Sequence, residues 1–490
     1  MRPACAHVAA PCAARRNCGG TTCRIVRDVC LYNGTAYHRC AGERCSTAPW
    51  QLVRQQVRLP WNSHARVDYS KLNSQPGPLV IDALTSAWKH VESTSCAPPL
   101  MWAPVWVHNF GEVFLSSITP LLEMEHMGVL GRNRSTLLIV DLLRHHVPPG
   151  CIDQPRTPCD EVPSWLVPLL RVLALGPVSL LHTLAPPCQG DLCPPPRCFS
   201  HLRACSFRSV FTHPYPRDMD MWAAGQTIVA RLAADAHAPQ EPSHADAEAA
   251  VLRETMQTRA DARILRVLFD ERAQRGMRSR QIGNTPSLLA RCALEGTSLG
   301  IECANHTFGV HGLAADVAVV RAADVLVGMH GSGLTNGFFM RRGSALIEVR
   351  PYGFEGGSAN RYYKEPLEHP KGEPVRVFYM SIAIGSPELC APNSGFAIAP
   401  QFAAYVKHCT LPWEALKRAI RVITWWRTGK PARPRAGGGT DSSPESRYAQ
   451  GAWATRHMVA YAPETSTKPN SAKGSRRRST RTQSEHLAHL

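Results

Sequence analysis

A short run of small residues, G-M-H-G-S-G-L-T-N-G-F-F at positions 328–339, constrains the fold of this chain most strongly. The apolar residues 323–328 predict a buried strand, and the apolar residues from Leu334 onward predict a helix. A strand that passes through a glycine-rich turn into a helix is typical of a parallel α/β sheet. The segment therefore predicts an α/β fold with a ligand site at the carboxyl edge of the sheet.

The residues of this turn suit a phosphate group. Backbone N–H groups at a helix start are otherwise unpaired, and small side chains let a phosphate approach them. The segment lacks the Gly-Lys-Ser/Thr of a Walker loop, and Asn336 replaces the third glycine of a dinucleotide motif. A tight turn without a ligand is the alternative interpretation. The candidate ligand contacts are Gly331, Ser332, Gly333, Leu334, Thr335 and Asn336.

The rest of the chain alternates between strand and helix patterns in two blocks, which predicts two Rossmann-like parallel-sheet domains that face each other. A Cys- and Arg-rich N-terminal region covers residues 1–95, and the first Rossmann-like domain covers 96–250. The second, with the glycine-rich turn and a closing amphipathic helix, covers 251–427. Residues 428–490 form a basic tail with little periodicity, which predicts disorder.

The charge of the chain does not indicate a nucleic-acid partner. The formal net charge is +17, and the segment from Arg427 to the end contains 12 basic and 4 acidic residues, about half of the excess. The basic run 473–478 is short and has no aromatic neighbours, so it does not resemble a nucleic-acid site. The remaining positive charge is ordinary for a protein whose ligand carries phosphates.

Of the 18 cysteines, six cluster at 12–45 and four at 188–205, and no pair has the C-x-x-C spacing that a zinc site needs. We therefore expect disulfides, no metal, and a secretory compartment (Golgi or endoplasmic reticulum). The glycosylation sequons at Asn33, Asn133 and Asn305 agree with this compartment. The first residues contain no apolar run typical of an export signal, and no stretch predicts a membrane span. Membrane association would require an N-terminal anchor that is missing from this sequence.

The run G-x-H-G-S-G-L-T-N-x-x-F, followed by R-G-S-A-L-I-E-V-R-P at 342–351, resembles the signature of glycosyltransferase family 61. That family includes plant and fungal xylosyl- and arabinosyltransferases and animal O-linked N-acetylglucosaminyltransferases. The resemblance implies a GT-B fold, with a nucleotide sugar in the cleft between two Rossmann-like domains. It also implies an inverting transfer from a UDP-sugar donor to a hydroxyl group of a glycan or glycoprotein acceptor.

The resemblance assigns roles to particular residues. Arg272, Arg278 and Arg280 lie in or near a segment similar to the arginine-rich loop of the family, and with the 331–335 backbone they would hold the diphosphate without a metal or cofactor. His330 would contact the donor and is a catalytic candidate. Glu348, at the end of the next strand, would accept hydrogen bonds from the ribose. Each of these residues has a purely structural alternative role.

The first domain departs from the family pattern N-x-G-H-x-x-x-D. The matching stretch begins at Asn109 and has Glu112 in place of the His and Ser116 in place of the Asp. Glu112 is therefore our candidate for the general base, with His108 in reserve. The alternative is a catalytically silent relative that binds nucleotide or glycan. A nicotinamide-binding protein or another kind of nucleotide-binding protein is a further alternative, although the glycine motif lies late in the chain and lacks its third glycine.

Overall fold

The protein is described by a computed structural model. It describes residues 22–33, 35–39, 49–52, 55–57, 66–68, 72–73, 98–102, 109–126, 137–140, 166–173, 178–186, 188–189, 192–206, 221–235, 264–271, 280–354, 362–368, 375–392, 407–428 and 457–460.

In these ranges the backbone forms the following strands: β1 (Thr22–Tyr32), β2 (Thr35–Arg39), β3 (Pro49–Leu52), β4 (Gln55–Val57), β5 (Arg66–Asp68), β6 (Leu72–Asn73), β7 (Leu100–Trp102), β8 (Leu138–Val140), β9 (Val178–Leu180), β10 (Arg197–Ser206), β11 (Leu265–Asp270), β12 (Gln281–Ile282), β13 (Ile301–His306), β14 (Val325–Met329), β15 (Ser344–Arg350), β16 (Val377–Ile384), β17 (Cys390–Pro392), β18 (Lys407–Cys409) and β19 (His457–Ala460).

The α-helices of the same ranges are α1 (Phe110–Val113), α2 (Thr119–His126), α3 (Leu166–Leu173), α4 (Leu181–Leu184), α5 (Met221–Asp235), α6 (Thr285–Leu299), α7 (Leu313–Ala322), α8 (Lys364–Glu368) and α9 (Trp413–Thr428). A π-helical turn, Phe114–Ile118, joins α1 to α2, and 3-10 helices form at Ser332–Phe339 and Pro387–Leu389.

The second block forms a six-stranded parallel sheet in the order β13-β11-β14-β15-β16-β19. Strands β14 and β15 are buried along their whole length, as expected for a parallel sheet that is covered on both faces. Helices α6 and α9 pack into the hydrophobic core on one face, while α7 and the 3-10 helix Ser332–Phe339 pack into the core on the other. The α/β architecture predicted for this block is confirmed.

The first block forms an eight-stranded sheet in the order β6-β3-β2-β1-β10-β7-β8-β9. Strands β10, β7, β8 and β9 are parallel, as expected, but β10 also pairs with β1 in antiparallel register. The sheet is therefore mixed, and strands from the cysteine-rich N-terminal region extend it. A parallel Rossmann-like portion is present in each block, while the GT-B arrangement stays a prediction.

Two local expectations differ from the structure. The apolar residues 178–182 have the pattern of a continuous strand, but β9 ends at Leu180 and α4 follows. In the tail predicted to be disordered, His457–Ala460 forms β19 at the edge of the second sheet, paired with β16. The other tail residues beyond Thr428 lie outside the described ranges.

The two blocks share one hydrophobic core through α5. A β-carbon at Gly225 would lie 2.3 Å from the carbonyl oxygen of Phe338, so only glycine lets the helix approach this closely. The neighbouring Gln226 donates hydrogen bonds of 3.0 Å to the carbonyl oxygens of Phe338 and Met340. These contacts fix the glycine-rich segment of the second block against a helix of the first.

Four disulfides form in the part of the chain that the structure describes: Cys30–Cys198, Cys188–Cys193, Cys292–Cys303 and Cys390–Cys409. The first of these joins the two cysteine clusters of the sequence, since it links β1 to β10 across 168 positions. The expectation that several cysteines pair is confirmed for these eight residues.

We expect mass spectrometry of unreduced protein from a secretory host to recover these four linked peptide pairs. Each pair must separate on reduction, which is the internal control for the assignment. A protein with 18 free thiols would contradict both the disulfides and the oxidising compartment that they imply.

Candidate active site

The glycine-rich turn lies at the carboxyl edge of the second sheet, directly after β14. Gly331 has a backbone φ of 147°, an angle that residues other than glycine rarely adopt. The following residues form a 3-10 helix, Ser332–Phe339, where the sequence predicted a helix beginning near Leu334. The turn therefore presents a helix start at the edge where parallel α/β sheets bind ligands.

Asp270, the last residue of β11, lies beneath this turn and is buried. A β-carbon at Gly333 would lie 2.1 Å from Asp270 Oδ2, and one at Gly328 would lie 2.9 Å from Asp270 Cβ. Both glycines are thus required by the close approach of a buried carboxylate. The sequence predicted a ligand contact for Gly333 but did not single out Asp270, although an acid that ends an apolar strand is a visible signal.

Two other residues of the turn hold its shape. Asn336 is buried, and its Nδ2 donates a hydrogen bond of 2.9 Å to the carbonyl oxygen of Gly333. This hydrogen bond caps the turn, while a contact of Asn336 with a ligand stays a prediction. Leu334 is fully buried in the hydrophobic core, and Ser332 is half-buried. The backbone N–H of Leu334 donates a hydrogen bond of 3.0 Å to the carbonyl oxygen of Gly331, so this N–H group is paired inside the turn.

His330 and Glu348 form the polar centre of the site. His330 Nδ1 hydrogen-bonds Glu348 Oε1, and Tyr379 donates its hydroxyl hydrogen to Glu348 Oε2. Arg350 Nε donates to the same Oε2 at 3.0 Å, and Arg350 Nη2 donates to the Tyr379 hydroxyl at 2.7 Å. All four side chains are buried. Their hydrogen bonds connect two residues of β15 and one of β16 with the glycine-rich turn.

The network sets the charge of Glu348. Burial alone would raise the pKa of this carboxyl, but His330, Arg350 and Tyr379 outweigh burial and hold the pKa below its ordinary value. The pKa of Tyr379 is raised by burial and by the adjacent carboxylate. Since the folded pKa of Glu348 lies below its unfolded value, its ionisation stabilises the fold above that unfolded pKa. The contribution is lost as the pH falls through the folded pKa.

Aromatic rings surround His330. Its ring centroid lies 4.4 Å from that of Phe354, 5.8 Å from that of Tyr362 and 5.9 Å from that of Tyr363. The Tyr363 hydroxyl donates a hydrogen bond of 2.7 Å to the carbonyl oxygen of Gly331. These rings limit the access of water to the imidazole and fix the start of the turn.

Arg280 reaches the same cluster. Its guanidinium carbon lies 5.9 Å from the centroid of Phe354, the ring next to His330. The structure therefore places one of the three predicted arginines beside the turn. Arg272 and Arg278 lie outside the described residues.

The start of α1, in the first block, lies against the glycine-rich turn of the second block. Asn109 caps the helix, since its Oδ1 accepts a hydrogen bond of 3.3 Å from the backbone N–H of Glu112. A β-carbon at Gly111 would lie 2.9 Å from Thr335 Oγ1 and 3.3 Å from Ser332 Cα. The helix start therefore touches the glycine-rich turn directly.

Glu112 lies at this contact. Tyr362 donates its hydroxyl hydrogen to Glu112 Oε1 at 3.5 Å, the outer limit of a hydrogen bond. Because Tyr362 also packs edge-on against His330, the two catalytic candidates have one aromatic neighbour in common. His108 lies outside the described residues, and the side chain of Ser116 is not described.

The sequence missed several members of the site for physical reasons. Arg350 follows Glu348 by two positions on a strand, so the period of two could have indicated it. Tyr379 lies on a different strand, and its contact with Glu348 depends on the pairing of β15 with β16. Tyr362 and Tyr363 lie between β15 and β16, in a segment without a motif that marks them.

The arrangement can hold an anion. It combines the N–H groups of a glycine turn, a histidine backed by a buried carboxylate, and an arginine that lies over Phe354, an aromatic neighbour of that histidine. The described residues contain no group of three His, Cys, Asp or Glu side chains that could hold a metal ion.

Residues 99–347 match a family model described as Glycosyltransferase 61. The matched range contains both the start of α1, with Glu112, and the glycine-rich turn, with His330. No curated protein matches the chain.

Proposed function

The chain belongs to glycosyltransferase family 61, and on this premise we propose that it is an inverting enzyme that uses a UDP-sugar donor. The acceptor in this proposal is a hydroxyl group of a glycan or glycoprotein. Glycosyltransferase activity follows from the family, while the donor, the acceptor and the inverting course are the parts proposed. The fold that we propose for it is GT-B.

The contact between the start of α1 and the glycine-rich turn supports this proposal most directly. Gly111 and Thr335 approach so closely that a β-carbon at Gly111 would lie 2.9 Å from Thr335 Oγ1. A donor on the turn would therefore have Glu112 of the first block beside it. Two-domain transferases need this juxtaposition, because donor and acceptor must meet between their domains.

The donor side of the proposal is electrostatic. A departing diphosphate gains negative charge, which preorganised donors stabilise when they are already aimed at it. The backbone of the Gly331 turn, His330 and Arg280 supply such donors. Arg272 and Arg278 are proposed as further phosphate ligands, and no metal or cofactor is required.

The acceptor side needs a base. In an inverting transfer, the acceptor oxygen attacks the anomeric carbon opposite the leaving diphosphate and loses its proton. Glu112 is proposed to take that proton, with Tyr362 orienting its carboxylate.

One observation favours a second candidate function, a silent relative that only binds nucleotide or glycan: Glu112 and Ser116 replace the His and Asp of the family pattern.

The secretory lumen is the proposed compartment. The four disulfides support it, as do the sequon residues Asn33 and Asn305, which are exposed. No helix in the described ranges is both long and apolar enough to cross a membrane.

A thermal-shift panel with UDP, UDP-sugars and NAD tests the proposal. A ligand at 100 times its Kd stabilises the fold by about 2.7 kcal/mol, which is a measurable rise in Tm. We expect stabilisation by UDP species and none by NAD. Stabilisation by NAD alone would refute the donor class, and a donor that binds without turnover over a panel of glycan acceptors would favour the silent relative.

We expect full turnover in the presence of a chelator. The phosphate charge is neutralised here by the turn, His330 and arginine side chains, so removal of divalent ions should leave the rate unchanged. The measurement compares initial rates with and without EDTA at constant ionic strength. Complete loss of activity in EDTA, restored by Mn²⁺, would contradict this prediction.

A further inference from the structure

Two of the three sequon asparagines lie in the part of the chain that the structure describes, and their surroundings differ. Asn33 lies in the turn between β1 and β2, where its Oδ1 accepts a hydrogen bond of 3.0 Å from the backbone N–H of Cys188. Asn305 lies on β13, one residue before the strand ends. Both side chains are exposed, but only Asn305 belongs to a strand.

Strand β13 is the end strand of the second sheet. Among the described strands it pairs with β11 on one side, and none of them lies on its other side. Its side chains Glu302, Ala304 and Asn305 are exposed, whereas Cys303 is held against α6 by its disulfide with Cys292. The edge of a sheet can pair with a strand of another chain, so folded proteins cover or charge such edges.

We propose that Asn305 carries an N-linked glycan and that this glycan covers the β13 edge of the second sheet. The acceptor sequence Asn305-His306-Thr307 has threonine at its third position and no proline at its second. A glycan is bulky and hydrated, so its asparagine must lie at the surface of the folded protein, as Asn305 does. The inference rests on the proposed secretory compartment, because the modification takes place there.

The modification is a group transfer from an oligosaccharide linked to a lipid diphosphate, catalysed by a transferase of the host. A bond forms between Asn305 Nδ2 and the anomeric carbon of the first sugar, and the bond between that carbon and the diphosphate oxygen breaks. The diphosphate leaves with the electron pair, and one amide proton passes to a basic group of the transferase. Nδ2 keeps its second hydrogen, which is enough for the bond that it donates to Glu271 Oε2 in the folded protein.

The segments next to β13 give the glycan both space and a role. A β-carbon at Gly309 would meet no atom within 4 Å, so the loop that follows the sequon is open to solvent. Two large apolar side chains are exposed on the flanking segments, Leu294 on α6 and Val310 in that loop. Exposed apolar groups beside a sheet edge favour self-association, and a hydrated glycan at Asn305 opposes it.

Mass spectrometry of peptides from protein made in a eukaryotic secretory host tests the site. We expect the Asn305 peptide to carry a glycan, and enzymatic release of that glycan should leave aspartate at this position. Thr307→Ala should abolish the modification, while the matched control Thr307→Ser keeps the sequon and should retain it. An unmodified Asn305 in protein that contains the Cys30–Cys198 disulfide would overturn the proposal, because that disulfide reports passage through an oxidising compartment.

Light scattering over a series of protein concentrations tests the covering role. Asn305→Gln keeps an amide but cannot be glycosylated, and it should self-associate at ~10-fold lower concentration than the wild type, the scale of one or two added backbone hydrogen bonds. Adding Ala304→Lys to this variant should restore the monomer, because a lysine on an edge strand opposes pairing. Equal self-association of wild type and Asn305→Gln, or no rescue by Ala304→Lys, would overturn this role.

Thr307→Ala provides the same comparison if Asn305→Gln does not fold, since it leaves Asn305 and its bond to Glu271 in place. The failure of the proposed function would look different from the failure of this proposal. A glycosylated protein that binds no UDP would refute the proposed donor and still confirm the glycan site. A protein with free thiols and an unmodified Asn305 would refute the compartment together with the site.

Discussion

Gly333→Val is expected to abolish UDP binding, because the glycine-rich turn cannot keep its shape with a side chain at this position. The added β-carbon would lie 2.1 Å from Oδ2 of Asp270 and 2.7 Å from its Cγ, far inside van der Waals contact. Asp270 is buried and packs closely against Gly328, so it has little room to withdraw. The turn must therefore move, together with the N–H groups proposed to hold the diphosphate.

Calorimetry on folded protein measures this effect. Gly331→Val should also abolish binding, because the backbone φ of 147° is strained for any residue with a side chain. Gly283→Ala is the control, since the atom nearest to its added β-carbon is 3.9 Å away. Its matched partner is Gly333→Ala, which adds the same methyl group at the crowded position. Normal UDP affinity in a folded Gly333→Val protein would refute the placement of the donor on this turn.

The second sheet could be predicted because its pattern is local. The strands β14 and β15 are runs of apolar residues that are buried over their whole length, and such runs identify parallel strands without knowledge of the partner. The strand predicted over 323–328 differs from β14, Val325–Met329, by no more than two residues at either end. The glycine-rich turn was equally visible, because the backbone angle and the close packing both require glycine.

The first sheet could not be predicted to the same depth. Strand β1 pairs with β10, and the disulfide Cys30–Cys198 that joins them spans 168 positions. No local period encodes a pairing over that distance, because the alternation of side chains fixes only which face is buried. The cysteine clusters indicated that disulfides form, but their connectivity depends on the register of these strands.

The candidate site shows the same division. His330 and the Gly331 turn were identified from a motif, since they occupy consecutive positions. The partners that fix their chemistry come from other strands: Asp270 from β11 and Tyr379 from β16. Their contacts arise from the lateral order of the sheet, β11-β14-β15-β16, which the sequence does not state.

Glu112→Gln is expected to lower turnover by ~10²-fold or more, the usual scale for the loss of a general base. The amide keeps the size of the side chain and its contact with Tyr362 but cannot accept a proton from the acceptor hydroxyl. UDP affinity should stay within a few-fold of the wild type, because the proposed diphosphate ligands are on the Gly331 turn and not on α1. Initial rates at saturating donor and calorimetry with UDP measure the two effects separately.

The control for this prediction is Glu302→Gln, the same chemical change at an exposed position of β13, which should be fully active. Tyr362→Phe tests the orientation of the base: loss of the hydroxyl that donates to Glu112 should reduce turnover by less than Glu112→Gln does and leave UDP affinity unchanged. An active wild type with an equally active Glu112→Gln would eliminate Glu112 as the base. A wild type that binds UDP but transfers no sugar to any acceptor tried would have a different meaning. In that case the donor site persists, but catalysis has been lost because Glu112 and Ser116 replace the His and Asp of the family pattern.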